Sequence, residues 1–287
     1  MTSSTKEVEN SSQEEKSFFG IIVHSFFIIP FLIAVFCVLL FAAVNLLTSE
    51  KKTAYGYLED VKTGGITKRW QGAFELSKIL ANPALYPKET RFSSELIKAF
   101  ENATHDDNRV RQYLALAMGR TGRVEFVQPI VQGLKEEKEE NLAALIYALG
   151  MLKTKESAPV LYQYIDHHNA LVRSIAVVSL GNIGNLDSMN IIKKGLNDSE
   201  VNVQWGAAIS LAQLGDKSGK AILFQLMNRK YLSQYPEVDL DEQNNLVLAA
   251  IENSARLNDQ SLNEEIKKLS QSDPNMKIRS AALKILK

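Results

Sequence analysis

The residues of this chain best suited to chemistry are its histidines. His105, His167 and His168 lie in predicted turns, and a shift of 31 residues places His105, Glu136, His167 and Asp198 in one column. Turns along one edge of a molecule could offer metal ligands. Equivalent positions of stacked helical units, however, lie about 10 Å apart, whereas zinc binds nitrogen at about 2.0 Å. We therefore expect polar, helix-capping turns here and no metal site.

No other arrangement of residues predicts catalysis. The single cysteine, Cys37, lies in an apolar segment, and the chain contains neither a nucleophile elbow nor a glycine-rich phosphate loop. The sequence therefore predicts no catalytic residue, no bound cofactor and a protein that is not an enzyme.

The elements that position these histidines form an internal repeat. The same shift of 31 residues aligns small residues, in a column of Gly119, Gly150, Gly181 and Ala212. Two further columns contain Arg111, Leu142, Arg173 and Gln204, and Gly122, Lys153, Gly184 and Gly215. A fixed period of this length is typical of a solenoid, in which each unit buries its apolar face against its neighbours.

Within each unit, apolar residues at helical spacing predict two helices joined by a polar turn. The second helix of a central unit, such as residues 170–183, is apolar on almost every side and must be covered by the units before and after it. The sequence thus predicts an all-α solenoid of about seven helical hairpins over residues 49–287. The aligned small residues, Gly119, Gly150, Gly181 and Ala212, allow close packing of helices. The glycines that follow the second helices, Gly122, Gly184 and Gly215, suit left-handed helix caps.

The pattern of Val172, Arg173 and Ala176 followed by Gly181, with the segment L-N-D-S-E-V ahead of Gln204, resembles HEAT-like repeats of the phycobilisome-lyase type. This resemblance implies the fold of residues 55–287. It implies less about function, because most proteins with such repeats are scaffolds or adaptors and a minority attach chromophores. Leu142 and Gln204 depart from the arginine of the pattern, so we expect an arginine ladder between units to be interrupted.

Charge argues against one class of partner. The chain has 33 basic and 33 acidic residues, without the basic excess that releases counterions from nucleic acid. We therefore expect no binding to nucleic acid.

The N-terminal region predicts a membrane anchor. Residues 1–17 are polar and acidic, which is typical of a disordered tail. Residues 18–48 form an uncharged apolar segment long enough to cross a bilayer, and we interpret it as a transmembrane helix. A cleavable signal peptide is the alternative, but it would have a shorter apolar core and a basic leading segment.

Basic residues are more frequent after this segment than before it, which favours a single-pass protein of the cell membrane with a cytoplasmic repeat domain. The basic residues that we expect to contact anionic headgroups are Lys51, Lys52, Lys62, Lys68 and Arg69.

Two surfaces are candidate protein-binding sites. The insertion in unit 6, residues 229–241, contains Tyr231, Leu232, Tyr235 and Val238, which either anchor a partner or fold back over their own unit. The last helix ends the solenoid with Leu283 and Leu286, which either cover their own unit or dock a partner or a second copy of the chain.

The sequence as a whole favours a non-enzymatic, membrane-anchored scaffold or adaptor that binds a membrane-associated protein partner. A subunit of a membrane transport or secretion complex is one candidate. The alternative is a lyase-like or enzyme-associated repeat protein that holds a cofactor or chromophore.

Overall fold

The computed structural model describes residues 24–48, 52–135 and 137–286, and every regular element in these ranges is helical. The chain divides into two compact parts, Met1–Lys52 and Thr53–Lys287. The predicted disordered tail, residues 1–17, lies outside the described residues, as does the start of the predicted transmembrane helix.

In the N-terminal part, a π-helical turn, His24–Ile28, leads into helix α1, Ile29–Thr48. Residues Phe26–Val44 have a mean hydropathy of 3.1, and none of this stretch is buried. Its length and composition would allow it to cross a membrane, but a signal sequence has the same properties. Membrane anchoring therefore stays a prediction.

The second part of the chain, Thr53–Lys287, is a solenoid of seven helical hairpins within the described residues, and each hairpin is one repeat unit. Units 1 to 4 consist of α2 (Ala54–Thr63) and α3 (Ile66–Ile79), α4 (Thr90–Asn102) and α5 (Asn108–Arg120), α6 (Val127–Leu134) and α7 (Glu139–Leu152), and α8 (Ala158–Leu161) and α9 (Ala170–Ile183). Units 5 to 7 consist of α10 (Met189–Lys194) and α11 (Val201–Gln213), α12 (Lys220–Leu226) and α14 (Leu240–Ser254), and α15 (Gln260–Ser272) and α16 (Met276–Ile285). Helix α13 (Arg229–Leu232) lies inside unit 6. The predicted all-α solenoid is confirmed.

The column of small residues marks where consecutive second helices touch. A Cβ atom added to Gly150 would lie 2.7 Å from Ser179 Oγ, and one added to Gly181 would lie 2.5 Å from both Cβ and Oγ of Ser210. No larger side chain fits at these two positions without displacing the next helix, because a separation below 3.0 Å is a steric overlap.

The four aligned residues that follow second helices, Gly122, Lys153, Gly184 and Gly215, all have a left-handed backbone conformation. The φ angles are 65° at Gly122, 74° at Gly184 and 84° at Gly215, as expected for glycine caps. Lys153 has a φ of 54° at the equivalent position. The left-handed conformation costs a residue with a Cβ atom about 1–2 kcal/mol, so the cap of unit 3 is less favourable than the three glycine caps.

The arginine column links successive turns. Arg173 donates from Nε and Nη2 to the two carboxylate oxygens of Asp198 in the next unit, each at 2.8 Å, and from Nη1 to the carbonyl of His167 at 2.9 Å. Gln204 keeps only the carbonyl bond, to Asp198 at 2.6 Å, and Leu142 has no donor. The ladder is thus broken at Leu142, as expected, and shortened at Gln204.

Candidate functional site

A cleft of about 570 Å³ lies on the face formed by the second helices of units 4, 5 and 6. Helices α9 and α11 form one wall, and α14 with the end of the unit 6 insertion forms the other. The lining residues are Ser174, Val178, Asn202, Trp205, Gly206, Ile209, Glu237, Val238, Glu242, Asn245 and Leu246. Its size is within the range of about 300–1,000 Å³ that is typical of small-molecule sites.

An aromatic cluster supports the Trp205 side of the cleft. The indole Nε1–H of Trp205 donates to the hydroxyl of Tyr231 at 3.2 Å, and the hydroxyl of Tyr235 donates to the same oxygen at 3.1 Å. The rings of Trp205 and Tyr235 meet edge to face, with centroids 5.0 Å apart. The bond to Tyr231 and burial raise the pKa of Tyr235 to about 12.

The polar groups at the cleft accept hydrogen bonds more than they donate them. Glu237 is exposed at the rim. Glu242 accepts from the backbone N–H of Asp239 at 3.3 Å while Asp239 accepts from the N–H of Glu242 at 2.8 Å, which is a capping box at the start of α14. Asn202 and Asn245 add amide groups. The cleft therefore combines an apolar lining with carboxylate and amide groups.

The unit 6 insertion folds back over its own unit, which was one of the two alternatives left open by the sequence. Tyr231, Tyr235 and Val238 are half-buried and pack against the core of units 5 to 7. Leu232 is fully buried, so its assignment as a partner-binding residue is wrong, because its side chain is part of this core. A role for the other three residues in partner binding stays a prediction.

The C-terminal helix has the two faces expected from its pattern. Ile278 and Ala282 are fully buried, whereas Leu283 is 50% exposed and Leu286 is 41% exposed. The described residues leave both leucines accessible, and their role as a docking surface stays a prediction.

The basic residues of unit 1 pair with carboxylates of the solenoid. The pairs are Lys62 with Glu95 at 3.2 Å, Lys68 with Asp60 at 3.1 Å, and Arg69 with Asp106. Lys52 is exposed, and Lys51 lies outside the described residues. Contact of these five residues with anionic headgroups stays a prediction, and the headgroups would have to compete with these carboxylates for Lys62, Lys68 and Arg69.

The histidine turns bring possible ligands closer together than the repeat period indicates. His167 and His168 precede α9, and their ligand atoms lie within 4.8 Å of one another and of a carboxylate oxygen of Glu139 at the start of α7. The residue one period before His167 is Glu136, which lies outside the described residues. Glu139 lies three residues after Glu136, so aligning the sequence with a shift of 31 residues does not place it opposite the histidines.

Comparison with known proteins gives a family match for the repeats and a relative in sequence. Residues 93–181 and 161–233 match the HEAT repeats family. The bilin biosynthesis protein PecE of Mastigocladus laminosus is 27% identical over 158 residues, which are 55% of this chain and 55% of PecE. The matched part is therefore about half the length of that curated relative.

A similar fold occurs in a solved structure. The complex of CpcE and CpcF of phycocyanin lyase from Nostoc sp. PCC7120 aligns with a TM-score of 0.61 at 21% identity. The alignment covers 83% of this chain and 88% of the matched chain.

These comparisons correct two predictions about function. The expectations of a non-enzymatic scaffold and of a protein that is not an enzyme are wrong, because the chain is similar in sequence to a bilin biosynthesis protein and in fold to a phycocyanin lyase complex. The comparisons favour the alternative, a lyase-like protein that holds a chromophore. The chain is a HEAT-repeat solenoid protein related in sequence to PecE and similar in fold to the CpcE and CpcF complex of phycocyanin lyase.

Proposed function

We propose that this protein acts as a lyase subunit in the attachment of a bilin chromophore to a protein. The observation that carries the proposal is the sequence similarity to PecE over 158 residues. The solenoid supplies the means, because its second helices form a cleft large enough for a small molecule.

The chemistry of the cleft suits a bilin. A bilin is a linear tetrapyrrole, with a long conjugated surface and pyrrole N–H groups along one edge. Val178, Ile209 and Leu246 are half-buried and offer apolar contacts to such a surface, whereas Trp205 is only 2% exposed and supports the lining. Glu237 is exposed, and its carboxylate can accept from N–H groups. Solvent-exposed propionate groups of the ligand would remain outside the cleft, where no desolvation cost arises.

The solenoid would bind and present the chromophore without holding it covalently. The only cysteine of the sequence is Cys37 in the apolar segment, so residues 53–287 contain no thiol that could form a thioether bond with a bilin. The acceptor thiol must therefore come from another protein. The role of this chain is to orient the ligand and exclude water from one face of it.

Filling the cleft should abolish bilin binding. Val178 is half-buried on α9 and lines the cleft, where it packs beside Gly206 of α11: its Cγ2 is 3.1 Å from where a Cβ atom on that glycine would lie. We expect Val178→Trp to weaken binding of phycocyanobilin more than tenfold, because an indole would occupy the ligand volume. The measurement is the change in visible absorption when the detergent-solubilised full chain is titrated with the free bilin.

Leu116→Trp is the matched control. Leu116 occupies the equivalent position of α5, two periods earlier, and is also half-buried, but it does not line the cleft. This variant should bind the bilin like the natural chain. Equal binding by Val178→Trp would place the ligand elsewhere, and no binding by the natural chain would refute the chromophore role.

A second subunit is the partner that this proposal implies. The similar structure is a complex of two proteins, CpcE and CpcF. We infer that this chain also works with a second repeat subunit, docked on the exposed Leu283 and Leu286, in place of the transport or secretion complex considered from sequence. Leu283→Glu with Leu286→Glu should abolish co-elution of the two subunits in size-exclusion chromatography while circular dichroism stays unchanged. Loss of a homodimer instead would show that these leucines dock a second copy.

The apolar helix would attach this activity to a membrane. The observation in support is the exposed stretch Phe26–Val44, which has no buried residue and a hydropathy suited to lipid. We propose a single span in the cell membrane with a cytoplasmic solenoid. The protein should then resist extraction with alkaline carbonate and dissolve in detergent; release by carbonate would exclude the span, and protease access from outside intact cells would exclude the orientation.

A further inference from the structure

We infer that Glu139, His167 and His168 form a binding site for a divalent transition-metal ion of the zinc and cobalt class. Each residue offers one ligand atom, and these atoms lie within 4.8 Å of one another. Glu139 belongs to unit 3, whereas both histidines belong to the turn of unit 4. An ion bound here would therefore join two successive units of the solenoid.

Two of the ligands already stand at the separation that a metal requires. His168 Nε2 lies 3.1 Å from Glu139 Oε1. Ligand atoms about 2.0–2.1 Å from a tetrahedral zinc ion are about 3.3–3.4 Å apart. A metal ion can thus be held between these two atoms if they move apart by a few tenths of an ångström.

His167 can act as the third ligand only if it gives up a hydrogen bond. Its ring centroid is 4.3 Å from that of His168, and its ligand atom lies within 4.8 Å of the Glu139 carboxylate oxygen. Its Nδ1 accepts the backbone N–H of Asn169 at 3.2 Å. Binding through Nε2 requires the ring proton to sit on Nδ1, which breaks this bond. We therefore expect His167 to be the weakest of the three ligands.

Neighbouring bonds hold the ligands in place. Arg173 donates from Nη1 to the backbone carbonyls of His167 and His168, at 2.9 and 3.0 Å. Asn169 donates from Nδ2 to Glu139 Oε1 at 3.0 Å, a contact that orients the carboxylate as outer-shell partners of metal ligands do. The same bond from Asn169 lowers the pKa of Glu139, which is consistent with an ionised ligand at neutral pH.

The charges and exposure of the site also suit a cation. The nearby guanidinium of Arg173 is already neutralised by its two bonds to Asp198. The side chain of His168 is 75% exposed and that of Glu139 is 44% exposed, so an ion can enter and keep water in its remaining coordination positions. Two histidines and one carboxylate with open positions form a donor set used by zinc, cobalt and iron ions.

Cobalt titration tests the site directly. The detergent-solubilised full chain, purified without a polyhistidine tag, should develop visible Co²⁺ d–d absorption that saturates at one equivalent and is displaced by Zn²⁺. His168→Ala and Glu139→Gln should each weaken binding by about tenfold or more, and His167→Ala should weaken it less.

His105→Ala is the matched control, because His105 is exposed in the corresponding turn of unit 2. This variant should bind cobalt like the natural chain. Zn²⁺ should also raise the melting temperature of the natural chain but not that of His168→Ala, which distinguishes loss of a ligand from loss of the fold. Absence of a cobalt spectrum, or an unchanged spectrum in His168→Ala, would overturn the inference.

Discussion

Replacing Arg111 with methionine should destabilise the solenoid by about 3–5 kcal/mol, because it leaves a buried carboxylate without its cation. The side chains of Arg111 and Glu137 are 5% and 1% exposed, and Arg111 Nε donates to Glu137 Oε2 at 2.8 Å. The guanidinium also donates to the carbonyl of Phe100 and lies 3.9 Å from the centroid of its ring. The measurement is the free energy of unfolding from urea denaturation followed by circular dichroism.

Two further variants separate the buried charge from loss of packing. Adding Glu137→Gln to Arg111→Met should restore much of the stability, because a neutral amide can still accept from Asn141, as Glu137 does at 2.9 Å. Arg173→Met should cost less than Arg111→Met, because the carboxylate of Asp198 keeps access to water, at 12% exposure. A loss for Arg111→Met no larger than that for Arg173→Met would contradict a dominant role for the buried charge.

Gly181→Ala should also destabilise the protein, by about 1–3 kcal/mol, although alanine is the better helix former. The added Cβ would lie 2.5 Å from Cβ and Oγ of Ser210 on the next second helix. The gain in helix propensity is only about 1 kcal/mol, and the overlap forces two packed helices apart. The same urea denaturation measures the effect.

The chain offers a control and a rescue for this prediction. A Cβ atom added to Gly65 would have no other atom within 4 Å, and the φ of this residue is −68°, so Gly65→Ala should change stability little. Ser210→Gly should recover part of the loss in Gly181→Ala by removing the clashing side chain. It should not rescue Gly119→Ala, whose Cβ would lie 2.8 Å from the backbone Cα of Ala148. Equal effects at Gly65 and Gly181 would show that helix packing does not limit this column.

The function expected from sequence failed for a general reason. A repeat period specifies how units stack, but the same solenoid serves adaptors and enzyme subunits alike. The cleft in which we propose that a bilin binds has no sequence motif, because lining residues such as Ile209 and Glu237 come together only when the unit 6 insertion packs beside α11 and α14. The similarity to PecE supplies the information that the period lacks.

The sequence by itself determined the helices, their pairing and the columns at which they touch. Gly150 and Gly181 lie where their small size predicted, and Gly184 and Gly215 form the left-handed caps. The physical reason is that these features repeat: each residue meets an equivalent neighbour one period away, so its environment is recorded in the chain itself.

Only the tertiary structure decided the contacts between positions that are not equivalent. It buried Leu232, folded Tyr231 and Tyr235 onto Trp205, and placed Glu139 beside His168. Such contacts depend on the offset and rotation between adjacent units. These quantities follow from the packing of whole helices, so no spacing along the chain reports them.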